Sequence, residues 1–97
     1  MSAYIVFTRL RTRNRDEVKL YAEQAPKSLI GHSIKFLAQF GRYDVREGGG
    51  VEGVAILEFP SFADATAWYE SPAYQSASQH RYKGEDYSVI IVDGGGT

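Results

Sequence analysis

The chain is 97 residues long, carries eleven basic and twelve acidic side chains for a formal charge of −1, and has no cysteine. That length holds one domain, residues 1–97, which buries a smaller share of its surface than a larger domain and so needs a supplement to its core. Without cysteine the supplement is neither a disulfide nor a thiolate metal site, and the balanced charge lacks the basic surplus a phosphate backbone demands, so oligomerisation is expected and a nucleic-acid partner is not.

Tyr4 to Arg9 is rich in β-branched and aromatic residues and predicts a first strand. Asn14 follows as a helix cap, with Glu17 three residues on to complete a capping box. Val18, Tyr21, Ala22, Ala25 and Leu29 recur at helical spacing and give that helix one apolar face. Pro26 lacks the N–H of the ladder, so a kink or restart is expected near Ala25, and Gly31 ends the segment. A second strand runs roughly from Ser33 to Phe40, with Ile34, Phe36, Ala38 and Phe40 on one face, and Gly41 marks a bulge or bend. Gly48-Gly49-Gly50 reads as a hairpin loop before a third strand, Val51 to Phe59, which Pro60 stops. Ser61 caps a second helix with Asp64 in the box position, and Phe62, Ala65, Trp68 and Tyr69 form its inward stripe. Ser71-Pro72 restarts helix, because proline at the first helical position forfeits no bond. Tyr87 to Val92 is the last strand; the ordered core spans roughly residues 3–93, and the glycine tail, 94–97, is expected to fray. The chain opens on strand residues without a charged n-region, and no apolar run approaches membrane-spanning length. A soluble, cytoplasmic protein with no membrane partner is expected.

The order β-α-β-β-α-β predicts an α+β fold, a four-stranded antiparallel sheet with both helices on one face. The strand centres Ile5-Val6-Phe7, Val54-Ala55-Ile56-Leu57 and Val89-Ile90-Ile91-Val92 are apolar at successive positions, so both faces of the sheet are dry. Two helices cover one face. The other needs a partner sheet, since an apolar patch of several hundred Å² is more than monomers normally expose, and a homodimer is expected.

Glu58-Phe59-Pro60-Ser61-Phe62, Trp68-Tyr69 and Ser71-Pro72-Ala73-Tyr74-Gln75, with Gly41-Arg42-Tyr43 and Val92-Asp93-Gly94 in support, resemble the DUF1330 family of the dimeric α+β barrel superfamily. The resemblance covers Tyr4 to Gly94 and implies a ferredoxin-like domain whose sheet packs face to face on that of a second copy. Many members carry paired glycines after the first helix, where this chain has Gly31-His32-Ser33. The family has no general assigned reaction. The wider superfamily implies cofactor-free monooxygenases, lactone isomerases or ligand-binding modules, all using the space beneath the helices.

His32 and His80 are the first candidates for proton transfer, imidazole being able to donate and accept near neutral pH. Each has a structural alternative: His32 as a turn residue, and His80 with Arg81 as positive charge at a helix C-terminus. Glu58 near the end of an apolar strand shares a face with Ile56, and it either pairs at the rim or acts as a base. Arg42, Arg81 or a tyrosine hydroxyl could serve as its partner, and Arg42 and Arg81 are also candidate ligand contacts. Phe36, Trp68, Tyr69 and Tyr74 are read either as core or as the walls of a pocket for a small organic ligand. Arg9, Arg11, Arg13 and Arg15 alternate, which on an extended segment places them on one side, solvated or able to catch an anion. No histidine and carboxylate pair has ligand spacing, so neither a metal nor a cofactor is expected. The favoured function is a cofactor-independent enzyme acting on a small aromatic or enolic metabolite by acid/base chemistry with His32, His80, Glu58 or a tyrosine. The alternatives are a non-catalytic small-molecule-binding module and a structural dimer that assists a partner protein.

Overall fold

The computed structural model of the chain describes residues 1–95. The elements are β1 (Ala3–Thr12), α1 (Arg15–Gln24) running into a 3₁₀ segment (Ala25–Leu29), β2 (Lys35–Gln39), β3 (Gly53–Phe59), α2 (Phe62–Tyr69), α3 (Pro72–Gly84) and β4 (Glu85–Asp93). All pairings are antiparallel, in the order β2-β3-β1-β4. Alternation along β1 and β3 drives Ala3, Ile5, Phe7, Ala55, Leu57 and Phe59 into the core under Trp68 and Tyr74.

The other face of the sheet is apolar and bare. Val6 lies between Ile56 and Ile90 in the ladder, and Tyr4 is opposite Val92. Ile90 is 57% exposed and Val92 45%. Among the described residues no helix is long and apolar enough to cross a membrane.

The expected caps form. Asn14 accepts from the amides of Asp16 and Glu17, Ser61 from Asp64, and Ser71 from Tyr74. The expected break at Pro26 is the change from α to 3₁₀ winding, and Gly31, at φ +84°, ends the segment. The reciprocal half of the first capping box does not form: the Asn14 amide donates to the Gly84 carbonyl instead, and the Glu17 carboxylate turns to His80.

Three local expectations are corrected. The bulge in β2 falls at Leu37, not at Gly41: Phe36 pairs with Leu57 but Ala38 with Ile56, so the two lie on opposite faces despite their spacing. A left-handed backbone at Phe40 (φ +52°) turns the chain again. Phe62 is 44% exposed, because a side chain at the first helical position tilts off the N-terminal end of α2. Of the two residues expected to complement the C-terminus of α3, Arg81 lies in its last turn with Lys83, whereas His80 turns to Glu17. Arg13, just past the end of β1, also serves that C-terminus, donating to the carbonyls of Tyr82 and Lys83 and pairing with Asp86 at 2.9 Å.

At the chain's end, the Gly94 amide donates to the Ser2 carbonyl at 2.8 Å. The Gly95 amide donates to the Asp93 carbonyl at 3.1 Å, and the last two residues of the tail expected to fray, Gly96 and Thr97, lie outside the described residues.

Candidate functional site

The apolar face of α1 does not close onto the sheet. None of its residues is buried; Val18, Tyr21 and Ala22, with Ala25 and Leu29 of the 3₁₀ segment, instead roof a cavity of about 490 Å³. Phe7, Ala55 and Leu57 form its floor, Trp68 and Tyr74 its inner wall, and Phe36 and Phe40 its mouth. A space of this size with aromatic walls suits a small organic molecule.

The walls are tied together. Tyr74 stacks obliquely on Trp68 at 4.2 Å between ring centroids, and its hydroxyl lies 2.8 Å from that of Tyr21. The Trp68 indole N–H donates to the Ser28 hydroxyl at 3.2 Å, pinning the 3₁₀ segment to α2. Burial pushes both the Tyr21 and Tyr74 phenols up, so each stays protonated.

Polar chemistry is concentrated at one end. Glu85, whose side chain is 2% exposed, lines the cavity, and among the described residues its buried Oε2 has no hydrogen-bond donor. Its nearest cation is the Arg9 guanidinium, with Nη1 3.6 Å away. Burial raises the Glu85 carboxyl above the usual carboxylate range, with Arg9 and Arg81 pulling the other way. Tyr87 stands beside them, its phenol pushed up to about 12 by burial and by the Glu85 charge. Arg9 also lies over the Phe40 ring at 4.7 Å. Gly53 permits that contact, since a Cβ there would sit 2.9 Å from Phe40 Cδ1 and 3.0 Å from Arg9 Nη2.

The Glu85 shift has a consequence for stability. A carboxyl whose pKa is higher folded than unfolded penalises the folded state as it ionises. The penalty is absent below the unfolded pKa, grows as pH rises toward the folded value, and is full above it. Glu85→Gln should therefore melt above the parent near neutral pH and converge on it below about pH 4. Thermal unfolding across that range checks this. A variant less stable than the parent throughout would mean that the Arg9 contact outweighs the burial cost.

Of the residues expected at a site, Phe36, Trp68 and Tyr74 meet at this cavity. Tyr69 and Arg81 line a separate, shallower cleft beside β4. His32 and Arg42 are on exposed loops, and Glu58 is on the helix-free face, opposite Tyr4 and Lys35. His80 lies between α1 and α3, with Nδ1 2.6 Å from Glu17 and Nε2 3.3 Å from Gln24. None of the polar candidates His32, Arg42, Glu58 and His80 lines this cavity, and Glu85, Arg9, Tyr21 and Tyr87 do instead. Period two held a signal for them: Arg9 continues the inward set Ile5 and Phe7, and Glu85 continues Tyr87, Val89 and Ile91. Among the described residues no cluster of three or more histidine, aspartate or glutamate side chains is placed to hold a metal ion.

Sheet order and helix placement define a ferredoxin-like α+β domain. Residues 2–95 match a family described as a domain of unknown function, DUF1330, and the chain belongs to it. No curated protein matches the chain. Among solved structures it is similar to RPA0582, a protein of unknown function from Rhodopseudomonas palustris, with 18% identity and a TM-score of 0.72 over 95% of this chain and 82% of that one. It is also similar to a dimeric ferredoxin-like protein of unknown function from Jannaschia sp. CCS1, with 12% identity and a TM-score of 0.69 over 96% and 99%. A third similar structure is the hydroxynitrile lyase of Passiflora edulis, with 16% identity and a TM-score of 0.63 over 99% and 94%.

Proposed function

We propose that the chain acts as a homodimer in which the cavity beneath α1 binds a small aromatic or enolic metabolite and Glu85 moves a proton on it. Glu85 carries the proposal: a carboxylate held at the end of an apolar cavity, with a raised pKa and an unsatisfied oxygen, is suited to act as a general base. In the step proposed, the C–H bond beside a substrate carbonyl breaks and its proton passes to Glu85. The electron pair moves onto the carbonyl oxygen, where the Arg9 guanidinium stabilises the enolate. Return of the proton to the same or a conjugated carbon completes an exchange or an isomerisation. Phe7, Trp68 and Tyr74 hold the ring. A relative with this fold being a hydroxynitrile lyase gives one case in which the scaffold supports a reaction.

The bare apolar face supports the homodimer, as does the dimeric description of the Jannaschia relative. In the barrel form two four-stranded sheets stack through Val6, Ile56, Ile90 and Val92.

Uncharged, enolisable aryl 1,3-diketones test the site. Saturable quenching of Trp68 fluorescence is expected, together with deuterium exchange at the acidic carbon faster than in buffer. Glu85→Gln should bind but lose the acceleration. Binding without acceleration in the parent would make the chain a binding module rather than an enzyme. No quenching by any member of the series would remove the site.

A further inference from the structure

We propose that the cleft beside β4, around Arg81 of α3, is a second binding site, one that takes a small planar carboxylate. Arg81 is only 3% exposed, and yet among the described residues no carboxylate lies within 4.0 Å of it. Among the described residues its buried Nε has no hydrogen-bond partner, and its Nη2 has one, the Tyr69 hydroxyl at 3.4 Å. What surrounds the guanidinium is aromatic: the rings of Tyr82, Tyr87 and Phe7 stand 4.9, 5.1 and 5.8 Å from its carbon. These rings make a cation tolerable without supplying an anion.

The cleft in front of Arg81 has a volume of about 380 Å³ and is bounded by Tyr69, Tyr82, Asp86 and Tyr87. Among the described residues neither of its two carboxylates pairs with Arg81. Asp86 is held by Arg11 at 3.2 Å and Arg13 at 2.9 Å, and Glu85 leans toward Arg9 on the cavity side. Arg81 is left as a buried donor facing a polar cleft, with phenol hydroxyls beside it. The neighbouring Tyr69 hydroxyl holds the Tyr82 phenol below its usual pKa.

Planar carboxylate fits better than phosphate. One guanidinium fork matches two coplanar oxygens, and the rings of Tyr82 and Tyr87 accept a flat substituent. A phosphate dianion would bring twice the charge against Glu85 and Asp86 with a single cation to balance it. The site is independent of the chemistry proposed for the cavity beneath α1, although Glu85 and Tyr87 form the partition between the two spaces.

Benzoate is the probe, followed by amide chemical shifts of the full chain. Saturable shifts are expected at Asp86 to Val89 and at Arg81 and Tyr82. Arg81→Gln should weaken binding about tenfold or more, the loss expected for a charge-assisted pair. Tyr82→Phe should weaken it severalfold. Glu85→Gln, which removes the nearest negative charge, should tighten it, whereas Phe36→Leu, at the β2 side of the cavity beneath α1, should leave it unchanged. If Arg81→Gln does not fold, the exposed Tyr82→Phe variant decides. Shifts confined to α1, or equal binding by parent and Tyr82→Phe, would overturn the assignment.

Discussion

Ile90→Lys should leave a chain that sediments as a single copy, or that no longer folds, under conditions where the parent sediments as a pair. Ile90 is 57% exposed at the middle of the helix-free face, directly across the ladder from Val6, with Ile56 one strand further on. In a stacked pair of sheets these side chains meet their counterparts and leave water. An ammonium introduced there has no carboxylate beside it and costs several kcal/mol to desolvate, more than an interface of a small domain can absorb. A control on the same strand separates interface from core. Ser88→Lys lies toward the end of the same face, where Thr8 and not an apolar residue is its neighbour, and should weaken the pair far less. Sedimentation velocity at micromolar concentration reads both. A parent that runs as a folded monomer, or an Ile90→Lys variant that pairs as the parent does, would remove the barrel.

The main lines of the fold are legible in the sequence because they rest on local chemistry. Asn14, Ser61 and Ser71 announce helix starts through a side-chain oxygen placed for the third amide, and each makes that bond. Pro26 announces a change of winding because a missing N–H cannot be supplied from elsewhere. The dry second face follows from strands apolar at both parities. What escapes is whatever depends on register. Ile34, Phe36, Ala38 and Phe40 alternate perfectly, and nothing in that pattern reveals that one residue, Leu37, is looped out and shifts the phase.

The site is legible in its walls and not in its polar end. Trp68, Tyr74 and Phe36 identify themselves by size and by the face of the element that carries them. Glu85 does not, because Glu85-Asp86 after Gly84 reads as an exposed turn until the ladder carries β4 back to Thr12 and places Glu85 inside. Arg9 is masked in the same way by the basic alternation it shares with Arg11 and Arg13. The bulge between Arg9 and Arg11 separates them, sending Arg9 to the cavity and Arg11 to Asp86. His80 and Glu17 illustrate the converse. Each looks like a free catalytic or capping group in sequence, and tertiary packing of α1 on α3 joins them to each other.

Trp68→Ala should cost about 3–5 kcal/mol, a large part of the stability of a domain this size. The ring is 2% exposed and packs against Tyr74, Phe59 and Phe7 at centroid distances of 4.2, 5.6 and 6.3 Å. Removing it leaves a void that the sheet cannot fill, since Phe7 and Phe59 are fixed by the β1–β3 ladder. It also ends the indole bond to Ser28, the tie between α2 and the 3₁₀ segment that roofs the cavity. Trp68→Phe separates these contributions: it keeps most of the ring and loses the N–H, and should cost about 1 kcal/mol for the bond plus a smaller packing loss. As Trp68 is the chain's one tryptophan, denaturant unfolding must be followed by circular dichroism rather than by indole emission. A midpoint for Trp68→Ala equal to that of the parent would mean that the ring is not a core element. Because the same ring walls the cavity, the alanine variant enlarges that space as it destabilises the fold. Ligand affinity lost by Trp68→Ala and kept by Trp68→Phe would show that ring volume, and not the indole N–H, holds the bound molecule.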